Sequence, residues 1–321
     1  MIVLKIFLFL LSFFILSEGH SVEKVIVSNE KSNTLSILSK DGDLIKEIGT
    51  CGRPRGMHFS KNKDRFFVGC ADDDLILIYE TNSLDVVGRI RNVLSPETFD
   101  LDPSGKFLVV SNEDDAKATV WNWEEGKLIS EFDTGEEPEG VQITNDGKYA
   151  FVASEVSDIV HVLNLKKGKL EKNISVDRRP RRFALSKNEE KLFVSAELGS
   201  IVNIIDTKTL KVIDEIIFLP KGFKREEITP VDVILNSDST IGYVALGIAN
   251  HVGVFDPFNG RIIDYILVGR RAWGMAISKN DRWLYVANGL SDDISIIDTK
   301  KKKVIKSVKV GSAPYAILIV E

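Results

Sequence analysis

The stretch PETFDLDPSGKFLVVSNEDDAKATVWNWEEGKLISEFDTGEE, residues 96–137, runs directly into PEGVQITNDGKYAFVASEVSDIVHVLNLKKGKLEKNISVDRR, residues 138–179. The two align without a gap over 42 residues. The register extends both ways. Pro54, Pro96, Pro138 and Pro180 stand 42 apart, Pro230 follows after 50, and Ala272 and Pro314 resume the interval of 42. The irregular interval carries eight extra residues, in or near 219–229 (LPKGFKREEIT). Periodicity of this length marks a repeat architecture.

Each repeat reads as four strands. Three places after the anchor come Met57, Phe99, Val141, Phe183, Val233, Met275 and Ile317; five places after come Phe59, Leu101, Ile143, Leu185, Leu235, Ile277 and Ile319. Apolar residues at every second place make a half-buried strand. Turn residues follow, such as Asn145 to Gly147, and then a valine at place fourteen of six repeats, from Val68 to Val286. Place twenty-four holds Ile78, Val120, Val162, Ile204, Val254 and Ile296, in a third strand that in five repeats ends on Asn or Asp, at Asn122, Asn164, Asp206, Asp256 and Asp298. A fourth strand closes the repeat, as in residues 86–90, 212–218 and 304–310. Four-stranded units of this length are β-propeller blades. Residues 25–29 and 35–37 match the second and third strands, and the missing first strand stands at 314–320. The expected fold is therefore an all-β, seven-bladed propeller of antiparallel blades, one of them closed by strands from both ends of the chain.

Ahead of the repeats lie Lys5, an apolar run at residues 6–16, and small residues Ser17 and Gly19 before His20. This pattern predicts a signal peptide over 1–19 and a propeller domain over 20–321. The apolar run is shorter than the ~20 residues of a spanning helix, so a periplasmic or secreted protein without a membrane span is expected. The chain has 321 residues, a net charge of −5 and two cysteines. Mild acidity and the lack of a clustered basic face argue against nucleic-acid binding.

The words Leu284-Tyr-Val-Ala-Asn288 and Phe107-Leu-Val-Val-Ser-Asn112, with Ile-Ile-Asp-Thr at residues 204–207 and 296–299, resemble the YVTN family of β-propellers. The loop words Arg53-Pro-Arg-Gly56, Glu137-Pro-Glu-Gly140, Arg179-Pro-Arg181 and Ala249-Asn-His251 resemble the exported propellers associated with pyrroloquinoline-quinone (PQQ)-dependent catabolism in bacteria. That resemblance implies an accessory of periplasmic alcohol oxidation.

In a propeller, the loop leading into strand one and the loop leaving strand two share one face. The first set supplies Arg53, Arg55, Glu97, Glu137, Glu139, Arg179, Arg181, Arg271 and Trp273. The second supplies Glu113, Asp114, Glu155, Glu197, His251 and Asn288. Arg–Glu pairs between blades could simply hold the loops. The functional reading is a mouth that takes a small polar or anionic ligand, because arginine suits bidentate capture of carboxylate or phosphate, or a mouth that docks a protein partner. Cys51 and Cys70 fall near one end of the same strand pair and could form a disulfide; a buried thiol at Cys70 is the alternative. No serine elbow, metalloprotease motif, phosphate loop, haem motif or dinucleotide fingerprint occurs, so no catalytic residue, metal or cofactor is assigned. The expected function is that of a monomeric, non-enzymatic binding or scaffold protein serving quinoprotein oxidation. The alternative is a propeller hydrolase such as a sugar lactonase, with a carboxylate or metal site in the channel mouth.

Overall fold

The computed structural model describes residues 24–39 and 41–321. The expected signal peptide lies outside the described residues. Among the described residues, seven four-stranded antiparallel sheets form a ring, and the secondary structure besides strands amounts to three short 3-10 turns. Blade 1 joins Pro314–Val320 to Lys24–Asn29, Thr34–Ser39 and Leu44–Gly49. Blades 2 to 5 begin with Pro54–Phe59, Pro96–Leu101, Pro138–Ile143 and Pro180–Leu185; blade 6 begins with Val233–Leu235 and blade 7 with Ala272–Ile277. No helix of the described residues is long and apolar enough to cross a membrane.

The sequence register is the pairing register. Met57 faces Val68, Phe99 faces Val110, Val141 faces Val152, Phe183 faces Val194, Val233 faces Val244 and Met275 faces Val286. In blade 1 the same place is filled across the two ends of the chain, by Ile317 against Val27. All seven of these second-strand valines are fully buried. Each packs in a hydrophobic cluster that also draws on a neighbouring blade, so the core is a belt between blades. Closure of the ring turns the first-strand edge of every blade toward the channel, so the inner edges are short and protected.

The extra residues fall at 218–232, where a short turn at Arg225–Glu227 precedes an unusually short first strand. Cys51 and Cys70 form a disulfide, with Cα atoms 5.6 Å apart. It ties the segment leading into blade 2 to the end of that blade's second strand.

Candidate functional site

The site starts from a repeated backbone turn. The residue before the anchor has a positive φ in six blades, at Arg53, Ser95, Glu137, Arg179, Arg271 and Ala313. Such conformations are costly for non-glycine residues unless the surroundings fix them. Here a side chain from the preceding blade accepts a hydrogen bond from the turn N–H. Asn33 Oδ1 takes that of Arg53 at 3.0 Å, and Asp158 Oδ1 and Asn250 Oδ1 take those of Arg179 and Arg271 at 2.8 Å.

Next to the anchor, on its far side, stand Tyr315, Arg55, Glu97, Glu139, Arg181, Val231 and Trp273 in blade order. They form a septum across the channel. Arg55 Nε donates to Glu97 at 2.5 Å, and Arg181 Nη2 donates to Glu139 at 3.0 Å. The Tyr315 hydroxyl bonds Glu97 and also reaches Glu139 at 3.2 Å, while Arg182 donates to Tyr315 and pairs with Glu139 at 3.2 Å. Arg55 lies over the Tyr315 ring at 4.5 Å and Arg181 over the Trp273 ring at 4.7 Å. Arg181 Nε and Trp273 Nε1 are buried donors without an acceptor among the described residues.

The septum separates two chambers of about 320 Å³ each. The lower one is lined by polar and apolar groups in about equal measure, with His58, Arg182 and Asp232 among them. The upper one is the mouth. Arg53, Arg55, Arg179, Arg181, Arg271 and Lys31 line it, against Glu30, Glu113 and Glu155, so basic residues outnumber acidic ones on its wall six to three. The glutamates come from one register, seventeen places after the anchor, which also holds Glu197. Arg53 pairs with Glu113 at 3.0 Å, and Arg55 with Glu30 at 3.1 Å. Across the mouth, Glu155 accepts from Arg179 Nε and Arg181 Nη1, both at 2.6 Å; Glu197 meets Arg181 at 2.9 Å and Arg271 at 3.7 Å.

Burial divides the protonation states. Burial, then the neighbouring Glu139, holds Glu97 well above the usual carboxylate range. For Glu139 burial acts the same way, but Arg181 and Arg182 outweigh it and hold the group low. Glu97 is thus the protonated member of a hydrogen-bonded carboxyl pair, and Glu139 the ionised one. Burial and the charge of Glu139 push Glu155 up to about 8, against the pull of Arg181 and Arg179. Burial keeps Tyr315 a neutral phenol.

Of the sequence-predicted residues, Arg53, Arg55, Glu113, Glu155, Arg179, Arg181, Arg271 and Trp273 meet at the mouth. Glu97 and Glu139 are buried in the septum, and Glu197 sits behind Arg181. Asp114 and Glu137 stand further out, toward solvent. His251 is elsewhere: it begins a strand, bonds the Ala249 carbonyl at 2.6 Å and packs edge-on against Phe223 of the extra segment. Asn288 is fully buried and donates to Asp293 and Ser295, as Asn29 does to Thr34 and Ser36 in blade 1. Tyr315 and Glu30 were not singled out in the sequence, although they occupy the registers of Arg55 and Glu155 in the split blade.

Two comparisons bear on identity. The family described as "Lactonase, 7-bladed beta-propeller" matches residues 141–313, just over half of the chain. The chain belongs to this lactonase propeller family. A protein of unknown function from Desulfotomaculum acetoxidans DSM 771 superposes with a TM-score of 0.79 at 16% identity, covering 93% of this chain and 99% of that one. A candidate 6-phosphogluconolactonase from Bacteroides fragilis NCTC 9343 gives 0.79 at 16% identity, with 95% and 99% covered. Kuenenia stuttgartiensis hydrazine synthase gives 0.74 at 16% identity, with 84% and 95% covered. At such identities these likenesses show the fold alone. No curated protein matches the chain.

Membership in this lactonase propeller family corrects the expectation of a non-enzymatic accessory of PQQ-dependent oxidation. The physical reason lies in the loop words that suggested it. In Glu137-Pro-Glu-Gly140, Glu137 has positive φ, Pro138 is buried, and a Cβ on Gly140 would lie 2.1 Å from the Arg181 carbonyl oxygen. Such words report how a blade starts, and propellers of different function share that requirement.

Proposed function

We propose that this member of the lactonase propeller family hydrolyses a lactone in its mouth, with Glu155 as general base. The observation that carries the reading is one carboxyl group, poised near neutrality, between two guanidinium groups on the wall of a mostly cationic chamber. A general base works best when its pKa lies near the working pH. A carboxylate has about four lone-pair sites, so the two arginine bonds leave room for a water. Glu155 takes a proton from that water as its oxygen attacks the lactone carbonyl. The ring C–O bond then breaks, and the same proton passes to the ring oxygen, giving the open hydroxy acid. Arg179 and Arg181 stand where they can donate N–H groups to the oxyanion, a preorganised stabilisation of the kind that dominates acyl chemistry. Arg53, Arg55 and Arg271 offer partners to an anionic group on substrate or product. Among the described residues no group of three or more His, Cys, Asp or Glu is placed to hold a metal ion.

The test is turnover of γ-butyrolactone, glucono-δ-lactone and a phosphorylated sugar lactone, corrected for spontaneous opening, from pH 6 to 9. With the base ionising at about 8, kcat/KM rises with pH up to that point and then levels. Glu155→Gln lowers it by about 10²- to 10⁴-fold. A wild-type protein inert toward every lactone overturns the activity. A Gln variant within threefold of wild type overturns the role of Glu155.

A further inference from the structure

Glu155 and Glu197 grip the same two arginines at the same atoms. Arg179 Nε is 2.6 Å from Glu155 Oε2 and 3.2 Å from Glu197 Oε2. Arg181 Nη1 is 2.6 Å from Glu155 Oε1 and 2.9 Å from that same Glu197 oxygen. Glu197 Oε1 lies 3.7 Å from Arg271 Nη2, so this one carboxylate reaches three arginines. Its backbone N–H donates to the Arg179 carbonyl at 2.9 Å, which fixes it to the turn that carries Arg179. Yet Glu197 is 7% exposed and is not part of the mouth lining. Glu155 meets the arginines at the wall, and Glu197 meets them out of a substrate's reach.

The sharing matters when Glu155 takes a proton. Arg179 Nε carries a single hydrogen, divided between the two carboxyls. Bonds to an ionised acceptor are about twice as strong as bonds to a neutral one. Once Glu155 is neutral, the hold on both guanidinium groups passes to Glu197. We infer that Glu197 is a positioning residue, keeping Arg179 and Arg181 aimed at the oxyanion while Glu155 carries the proton. This rests on the lactone reading above and adds to it a residue that touches no substrate.

The charges around Glu155 supply the test. Arg179, Arg181, Glu139 and Glu197 act on it, and Glu137, Asp158 and Arg178 line the cleft on its flank. Burial and Glu139 raise Glu155 most, and Glu197 adds to them. Glu197→Gln removes a like charge and leaves both arginines to Glu155, which then ionises at lower pH.

The experiment measures kcat and KM from pH 6 to 9 for wild type and Glu197→Gln, on whichever of γ-butyrolactone, glucono-δ-lactone and the phosphorylated sugar lactone is opened fastest. In the variant the rise of kcat/KM moves to lower pH. Plateau kcat falls about tenfold, less than the loss of an oxyanion donor outright, and KM stays within about threefold. Damage to the fold alone lowers the rate alike at every pH and leaves the midpoint in place. An unmoved midpoint, or a plateau kcat within threefold of wild type, overturns the assignment and leaves the activity standing. If no lactone is cleaved, the activity reading fails, and the Arg179 Nε–H signal in nitrogen-15 NMR at pH 6 and pH 9 decides the hold. A signal that persists at both pH values in wild type, but is lost at pH 6 in Glu197→Gln, supports it. Equal signals in the two proteins overturn it.

Discussion

Replacing Arg181 by methionine removes a buried cation shared by three glutamates. Arg181 is 3% exposed and pairs with Glu139 at 3.0 Å, Glu155 at 2.6 Å and Glu197 at 2.9 Å. Each such pair, at an effective dielectric of about 20, is worth on the order of 4 kcal/mol gross. Desolvation of the guanidinium, several kcal/mol, opposes the sum. The stranded carboxylates then have a second way out, which is to take up protons. Neutralising a group of ordinary pKa 4.5, such as Glu139, at pH 7.5 costs about 4 kcal/mol. Both routes lead to a loss of about 3–5 kcal/mol, the range for breaking a buried pair from one side. The sign with pH follows. In the variant Glu155, already raised, moves further above its unfolded value, and Glu139 loses the largest charge that holds it low. A raised carboxyl contributes its stability below the unfolded pKa and loses it as pH rises through the folded pKa. The deficit is therefore larger at pH 8 than at pH 5. The assay is urea unfolding of both proteins at the two pH values, with thermal melts in parallel. At this chain length 1 kcal/mol corresponds to about 2 °C, so a fall of about 6–10 °C is expected near neutral pH. Arg181→Met combined with Glu139→Gln recovers part of the loss, because one stranded charge is gone. A loss below about 1 kcal/mol, or one that does not change between pH 5 and pH 8, would refute the account of the septum as a charge-compensated core.

Two further outcomes test the scaffold. The Cys51–Cys70 disulfide closes a short loop, with the cysteines 19 apart in sequence, so Cys51→Ser/Cys70→Ser loses about 3 kcal/mol and reductant lowers the melting temperature of wild type toward that of the variant. Gly140→Ala drives a Cβ to 2.1 Å from the Arg181 carbonyl oxygen and loses about 1–3 kcal/mol or more, while Gly49→Ala, with nothing within 4 Å, stays within about 0.5 kcal/mol; equal melting temperatures for the two variants would show that the strands at the channel are looser than described.

The ring was readable because each blade repeats one pairing, and an apolar residue facing a valine recurs whatever the loops do. The mouth was readable in part for the same reason. Arg55, Glu97, Glu139, Arg181 and Trp273 share one register, so noticing any of them leads to the rest. Tyr315 and Glu30 escaped because the split blade separates its first strand from its second by the whole chain, and neither half shows the pattern alone. Side-chain direction was not readable. Glu97 and Glu155 look alike as exposed loop acids in sequence, yet one is sealed in the septum and the other lines the mouth. His251 and Asn288 flank the expected loops but belong to strands and turn back into their own blades, and the recurrence of a buried Asn at Asn29, Asn112 and Asn288 was the available sign of a structural role. Function misled because the most distinctive words encode the start of a blade.

Closure of blade 1 also sets an order in time. Its first strand, Pro314–Val320, follows every other described strand, and it pairs with Lys24–Asn29, the first described. The same strand carries Tyr315, which bridges Glu97 and Glu139. A nascent chain short of residue 315 therefore has neither a shut ring nor a finished septum. Ring closure and completion of the septum coincide at this strand, and a product stopped before it lacks both the pairing that shuts the ring and the tyrosine that joins the two glutamates.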